Sequence, residues 1–164
     1  AATLRQYETA IKGCATHEIA VIVRADGELV AVVRGVMGFV CPPLEWVKGC
    51  VFTHNHPNGT FLSFDDVVGI ITADGVEVRS VTNRYGVLSL ARDSGKFQKG
   101  KKLIKILNDE FLGIEQLDFL VKVSEWASRN NIKGDMRNKQ REFTRVWLNK
   151  NAPEYGYISK WGSL

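Results

Sequence analysis

His54 and His56, two of the chain's three histidines, stand one residue apart in the stretch CVFTHNHPNGTFLSFDD (Cys50 to Asp66), which also carries Ser63, Asp65 and Asp66. In a strand, residues i and i+2 face one side, so two imidazoles at a strand's end can close on one cation. Pro57-Asn58-Gly59 then forces a turn, and the chain returns into a helix whose first turn carries the serine and both aspartates. A carboxylate delivered there supplies a third ligand. Two histidines, one carboxylate and a position left to water form the ligand set of a catalytic zinc site, where the metal lowers the pKa of water to ~7 and polarises a carbonyl. A proton acceptor outside the ligand set is also needed. Glu18 is the candidate because it begins a strand that can lie beside the histidine strand. Glu28, in a hairpin turn, and Glu45, after a Pro-Pro pair, compete for the role.

Each residue also has an ordinary use. Asp66 suits a helix start, where a carboxylate meets the dipole and free N–H groups. Ser63 suits an N-cap, worth ~1 kcal/mol. Cys50, four residues before His54, is either a thiolate ligand or a small buried apolar group. His17 neighbours Glu18, and adjacent strand residues face opposite sides, so it does not share a site with that glutamate. Asp65 is expected at the surface, and Trp126, Trp147 and Trp161 are expected to anchor helix packing.

The elements that must hold these residues are legible as short patterns. Residues 3–13 suit a short helix, Glu18–Val23 is a buried β-branched strand, Ala25-Asp-Gly-Glu28 is a hairpin turn, and Leu29–Val33 is the returning strand. Gly49–His54 is a third strand. Ser63 and Asp66 resemble a capping box before a helix over 64–74, and strands follow at 76–82 and 86–90. Beyond Ser94 the spacing of Phe97, Leu103, Ile104 and Leu107, then Leu117 to Val123, then Phe143 to Leu148, is helical. The expected fold is α/β, a mixed sheet with the 64–74 helix packed on it and the helices after residue 95 outside.

His54-Asn-His-Pro57 with Ser63-Phe-Asp-Asp66 resembles the signature of the JAMM/MPN (JAB domain) zinc metalloproteases, an upstream Glu, then His-x-His-Pro, then Ser-x-x-Asp. It is especially similar to the RadC-like and phage-type bacterial branch. The resemblance is specific over residues 50–66 and extends over 16–91 through the order of elements. It implies the JAB/MPN fold, a cytidine-deaminase-like mixed sheet flanked by helices, as a hydrolase core over 1–95. A helical basic C-terminal extension follows over 96–164. It further implies zinc held by His54, His56 and Asp66, Glu18 as base, and Ser63 binding the substrate carbonyl or developing oxyanion. The implied reaction is hydrolysis of a peptide or isopeptide bond in a peptide or protein, a ubiquitin-like conjugate or a viral precursor among the family's substrates. A RadC-like DNA-associated protein or a non-catalytic JAB-type interaction module is the alternative. The intact Ser-x-x-Asp favours Asp66 over Asp65. Six residues separate His56 from Ser63, one fewer than in the family's common form, which bears on the metal geometry.

Other classes fit less well. The HNH nucleases spread those letters over a ββα unit, so the match is one of spelling, and the downstream Pro-Cys-x-x-Cys of zinc deaminases is missing. Three irregularly spaced cysteines do not make a disulfide framework and suit reduced thiols in a cytoplasmic protein. No apolar run is long enough to span a bilayer. The first residue is Ala1, which points to processing or to excision from a longer polypeptide. Residues 1–95 carry 8 basic and 10 acidic side chains, whereas 96–164 carry 14 and 8, so the net charge of +4 comes from the C-terminal part. That part is either a solvated helical surface, its acidic residues interleaved with the basic ones, or a region that touches nucleic acid.

Overall fold

The short β-branched runs form the middle of a six-stranded mixed sheet, ordered β2-β1-β3-β4-β5-β6. The computed structural model describes residues 3–93 and 116–164, with positions 102, 105 and 109 between them. The helical readings at Phe97, Leu103, Ile104 and Leu107 lie outside the described residues. Helix α1 (Leu4–Ile11) starts at Thr3 with a reciprocal capping box to Gln6. Strands β1 (Ile19–Arg24) and β2 (Leu29–Arg34) make the hairpin, and Gly27 in its turn has φ 91°. A one-turn helix α2 (Leu44–Val47), not foreseen in the sequence, precedes β3 (Cys50–Asn55).

Helix α3 (Phe64–Thr72) crosses from β3 to β4 (Glu77–Thr82), and these two strands are the parallel pair of the sheet. β5 (Gly86–Arg92) returns antiparallel to β4. Alternation divides the inner strands between two cores. Ala20, Ile22 and Phe52 join Val67 and Ile70 of α3, whereas Val21 and Val23 pack with Ile11 of α1. On the α1 side Glu8 is buried but not orphaned. Thr53 donates to it at 3.0 Å, and Arg79 forms a salt bridge that ties α1 to β4.

The C-terminal part departs from expectation. Helices α4 (Gln116–Arg129) and α5 (Met136–Asn151) are not outside the sheet's core. Val123, Phe143, Trp147 and Leu148 are buried in the same cluster as Phe52 and Val67. After Gly156, at φ 85°, the chain forms a strand, β6 (Tyr157–Gly162), antiparallel to β5. Tyr157-Ile-Ser-Lys-Trp-Gly162 is short and lacks sustained alternation, so only its partner strand defines it. Gly86 permits the pairing, because a Cβ there would lie 2.1 Å from the Gly162 carbonyl oxygen. Among the described residues no helix is long and apolar enough to cross a membrane.

Candidate metal centre

β3 lies inside the sheet between β1 and β4, and its ladder runs one residue past its end, since the His56 N–H donates to the Val81 carbonyl at 2.9 Å. The pleat therefore carries Phe52, His54 and His56 to one face. The two histidine Nε2 atoms come within 2.8 Å, with the rings edge to face. His54 is fully buried and stacks on Phe52, ring centroids 4.9 Å apart. His56 Nδ1 lies 2.9 Å from the Thr60 carbonyl. A carbonyl only accepts, so Nδ1 carries a proton, and in the neutral ring Nε2 keeps its lone pair.

Asp66 is mounted on the first turn of α3 by the capping box itself. Its Oδ2 accepts the Ser63 N–H at 2.6 Å, and its own N–H donates to Ser63 Oγ at 3.2 Å. So fixed, Oδ1 lies 3.0 Å from His54 Nε2 and Oδ2 3.3 Å from His56 Nε2. The short turn still brings the carboxylate to both imidazoles. Asp65, one position along, is exposed.

Glu18 arrives through strand register. Ala20 pairs with His54 in antiparallel β1 and β3, which sets Glu18 opposite His56 and on the same face. Glu18 is buried, and a carboxylate oxygen of it and one nitrogen of each histidine lie within 4.8 Å of one another. Asn55, between the histidines, faces the other way and secures this approach. Its Oδ1 accepts the Ile19 N–H at 2.6 Å, and its Nδ2 donates to the carbonyls of Cys14 and His17.

Burial pushes the Glu18 carboxyl up, against the pull of the two imidazoles. Burial also works to raise Asp66 and to lower His56. The histidines prevail at Asp66, holding it well below the usual carboxylate range. Asp66, with help from Glu18, prevails at His56 and holds it above the ordinary imidazole value.

These donors fit a metal ion. Two imidazole nitrogens ~2.0–2.1 Å from a tetrahedral cation stand about 3.3 Å apart, so the pair need open by only about half an ångström. The His54 Nδ1 is buried without a partner among the described residues. Beside the histidines is a cavity of about 170 Å³ that exposes Glu18, His56, Ser63 and Asp66 to an apolar wall including Phe39, Val40 and Leu44.

The competing residues lie elsewhere. Glu28 pairs with Arg24 at the exposed hairpin, and Glu45 is exposed on α2. Cys50 belongs to the apolar core, where burial raises its pKa. His17 bonds the Thr16 hydroxyl at 2.9 Å. Trp126 packs edge to face on Phe143 and Trp147 is buried. Trp161 is no helix anchor, however, because it lies on β6 and is 58% exposed.

One contributor had no sequence signal. Arg141 of α5 is 3% exposed, donates to the Gly59 carbonyl at 2.8 Å, and lies 3.3 Å over the Tyr85 ring. It braces the turn that holds His56, from 82 residues away. Comparison with models of known protein families, with curated proteins and with solved structures finds no match to this chain.

Proposed function

We propose that the chain is a zinc-dependent hydrolase of the JAMM/MPN type that cleaves an amide bond in a peptide or protein. The observation that carries this reading is the meeting of His54, His56 and Asp66 with buried Glu18 at one end of a cavity. His54, His56 and Asp66 would hold the zinc, which supplies Lewis acidity toward water and the amide carbonyl. Glu18 takes a proton from the attacking water and returns it to the leaving amine, a task served by a carboxyl whose proton affinity burial has raised. Ser63 Oγ accepts the Asp66 N–H and keeps its hydroxyl proton for a substrate carbonyl oxygen. The apolar wall limits water and receives the chain on one side of the scissile bond.

On this reading the sheet, the histidine strand and the Ser-x-x-Asp helix are those of the JAB/MPN fold in its RadC-like or phage-type form. The bond is a peptide or isopeptide bond, as in a ubiquitin-like conjugate or a viral precursor. The free cysteines Cys14, Cys41 and Cys50 suit a reducing cytoplasm. The 2.8 Å between the imidazole nitrogens favours a second reading, in which Asp66 and the histidines form a structural cluster and the domain binds without cutting.

Zinc content separates the two. Protein purified without chelator should carry about one zinc per chain, lost in His56→Ala, whereas wild type that stays metal-free after zinc is added supports the structural cluster. In Glu18→Gln zinc should remain while hydrolysis falls by ~10²–10⁴. Full activity in that variant removes Glu18 from the mechanism.

A further inference from the structure

We infer that a cationic groove running from the metal centre's turn to β6 binds a single nucleic-acid strand. Two cavities, of about 320 and 280 Å³, share Lys12, Arg84, Tyr85 and Arg141 along their walls and so form one groove. One end is lined by His56 and Gly59, the other by Trp161. Its cations come from separate elements brought together by the fold. Lys12 follows α1, Arg84 sits in the β4–β5 turn, and Arg137 and Arg141 belong to α5.

Among the described residues no ion pair takes up the charge of Lys12, Arg84 or Arg137. Arg141 is committed to uncharged acceptors, the Gly59 carbonyl and the Asn138 amide oxygen. The side-chain carboxylates at the wall bond elsewhere, Asp135 to the Asn138 N–H and Glu142 to Arg145, and Leu164, the last residue, lines the Trp161 end.

Aromatic surface accompanies the charge. Tyr85 is 36% exposed and Trp161 58% exposed, and the Trp161 indole N–H donates to the Tyr85 carbonyl at 3.1 Å, which holds the indole beside the groove. Cations that track phosphates together with an exposed indole that stacks on bases make a surface for single strands, and Tyr85, which carries Arg141 on one face, offers only its other face. A carboxylate-rich peptide would satisfy the cations and leave the rings without a role. The inference does not depend on the metal or on hydrolysis.

The test is fluorescence polarisation with labelled dT and rU oligomers of about 15 nucleotides, titrated with the full chain from ~50 to ~200 mM salt. Binding should weaken with salt, with a slope near −2.1 for three phosphate contacts, by Lys12, Arg84 and Arg137, at ~0.7 each. Arg84→Glu/Arg137→Glu should bind at least tenfold more weakly and lower the slope by about 1.4. Lys48→Glu/Lys150→Glu, an equal change of net charge at exposed residues that do not line the groove, should bind like wild type. Trp161→Ala should cost about tenfold and lose the quenching of tryptophan fluorescence that binding produces in the parent. Three outcomes overturn the inference. These are no binding at the lowest salt, equal loss in both charge-reversal variants, and displacement of the oligomer by a poly-glutamate peptide as readily as by unlabelled dT. Thermal melts of each variant identify any loss that reflects unfolding.

Discussion

Asp66 and a metal ion would compete for the same nitrogen of His56, and pH sets the balance. Asp66, held below the ordinary carboxylate value, contributes stability that is lost as pH falls through its lowered pKa. His56, held above ~6.5, contributes stability that is full below that value and is lost as pH rises through its raised pKa. Metal-free protein should therefore melt highest in mildly acidic solution and lose Tm on the alkaline side. Zinc needs neutral imidazole, so its stabilising effect should grow as pH rises over the same range. Melts from pH 5 to 9 with chelator and with zinc check this, and parallel curves would count against metal binding at these histidines. Asn55 acts at the same scale from the opposite face. Asn55→Ala removes the bonds to Ile19, Cys14 and His17 and should cost about 3 kcal/mol, two or three unmade hydrogen bonds. Zinc should remain in that variant while hydrolysis falls with the displaced Glu18.

The turn between β3 and α3 depends on elements distant in sequence. Thr60 orients His56, Gly59 has φ 75°, and Arg141 of α5 holds the Gly59 carbonyl against the Tyr85 ring. Arg141→Met should lower stability by ~1–3 kcal/mol through the unpaired carbonyl and weaken zinc by ~10–100-fold, as loss of an outer support does. Equilibrium unfolding and zinc competition assays measure the two effects, and unchanged zinc affinity would reduce Arg141 to a packing residue. At the other end of the sheet, Gly86→Ala sets a methyl against the Gly162 carbonyl. It should cost about 3 kcal/mol or more, by strain at a positive φ and separation of β6 from β5. Hydrogen exchange along residues 157–162 would show the separation directly.

Across the whole molecule, one apolar cluster joins the sheet, α3 and the C-terminal helices. Val123, Phe143, Trp147, Leu148 and Tyr157 are as buried as Phe52 and Val67. A chain ended at Asp93 would expose that cluster and leave β5 with an open edge. It should aggregate or unfold without a cooperative transition. A cooperative melt with zinc retained would show instead that residues 1–93 fold alone. The same coupling links the C-terminal part to the candidate site, since α5 braces the turn that carries His56 and lines the cationic groove.

The succession of β1 to β5 along the chain was legible because each strand is a short apolar run bounded by a turn signal, whereas their order in the sheet was not. The pairing of His54, His56 and Asp66 was legible because strand alternation and a capping box act over a few residues. Glu18 was readable as the favoured candidate over Glu28 and Glu45, and the antiparallel register of β1 on β3 is what sets it beside the histidines. α2 and β6 left little trace, being too short to show a period and defined by what they pack or pair against. Arg141, Tyr85, Arg84 and Lys12 looked like scattered surface residues along the chain. Local periodicity, acting over a few residues, determined the elements and the grouping of His54, His56 and Asp66. Contacts between residues far apart in the chain, such as Arg141 with Gly59 82 positions away, which no local pattern encodes, decided what supports the site and where the positive charge gathers.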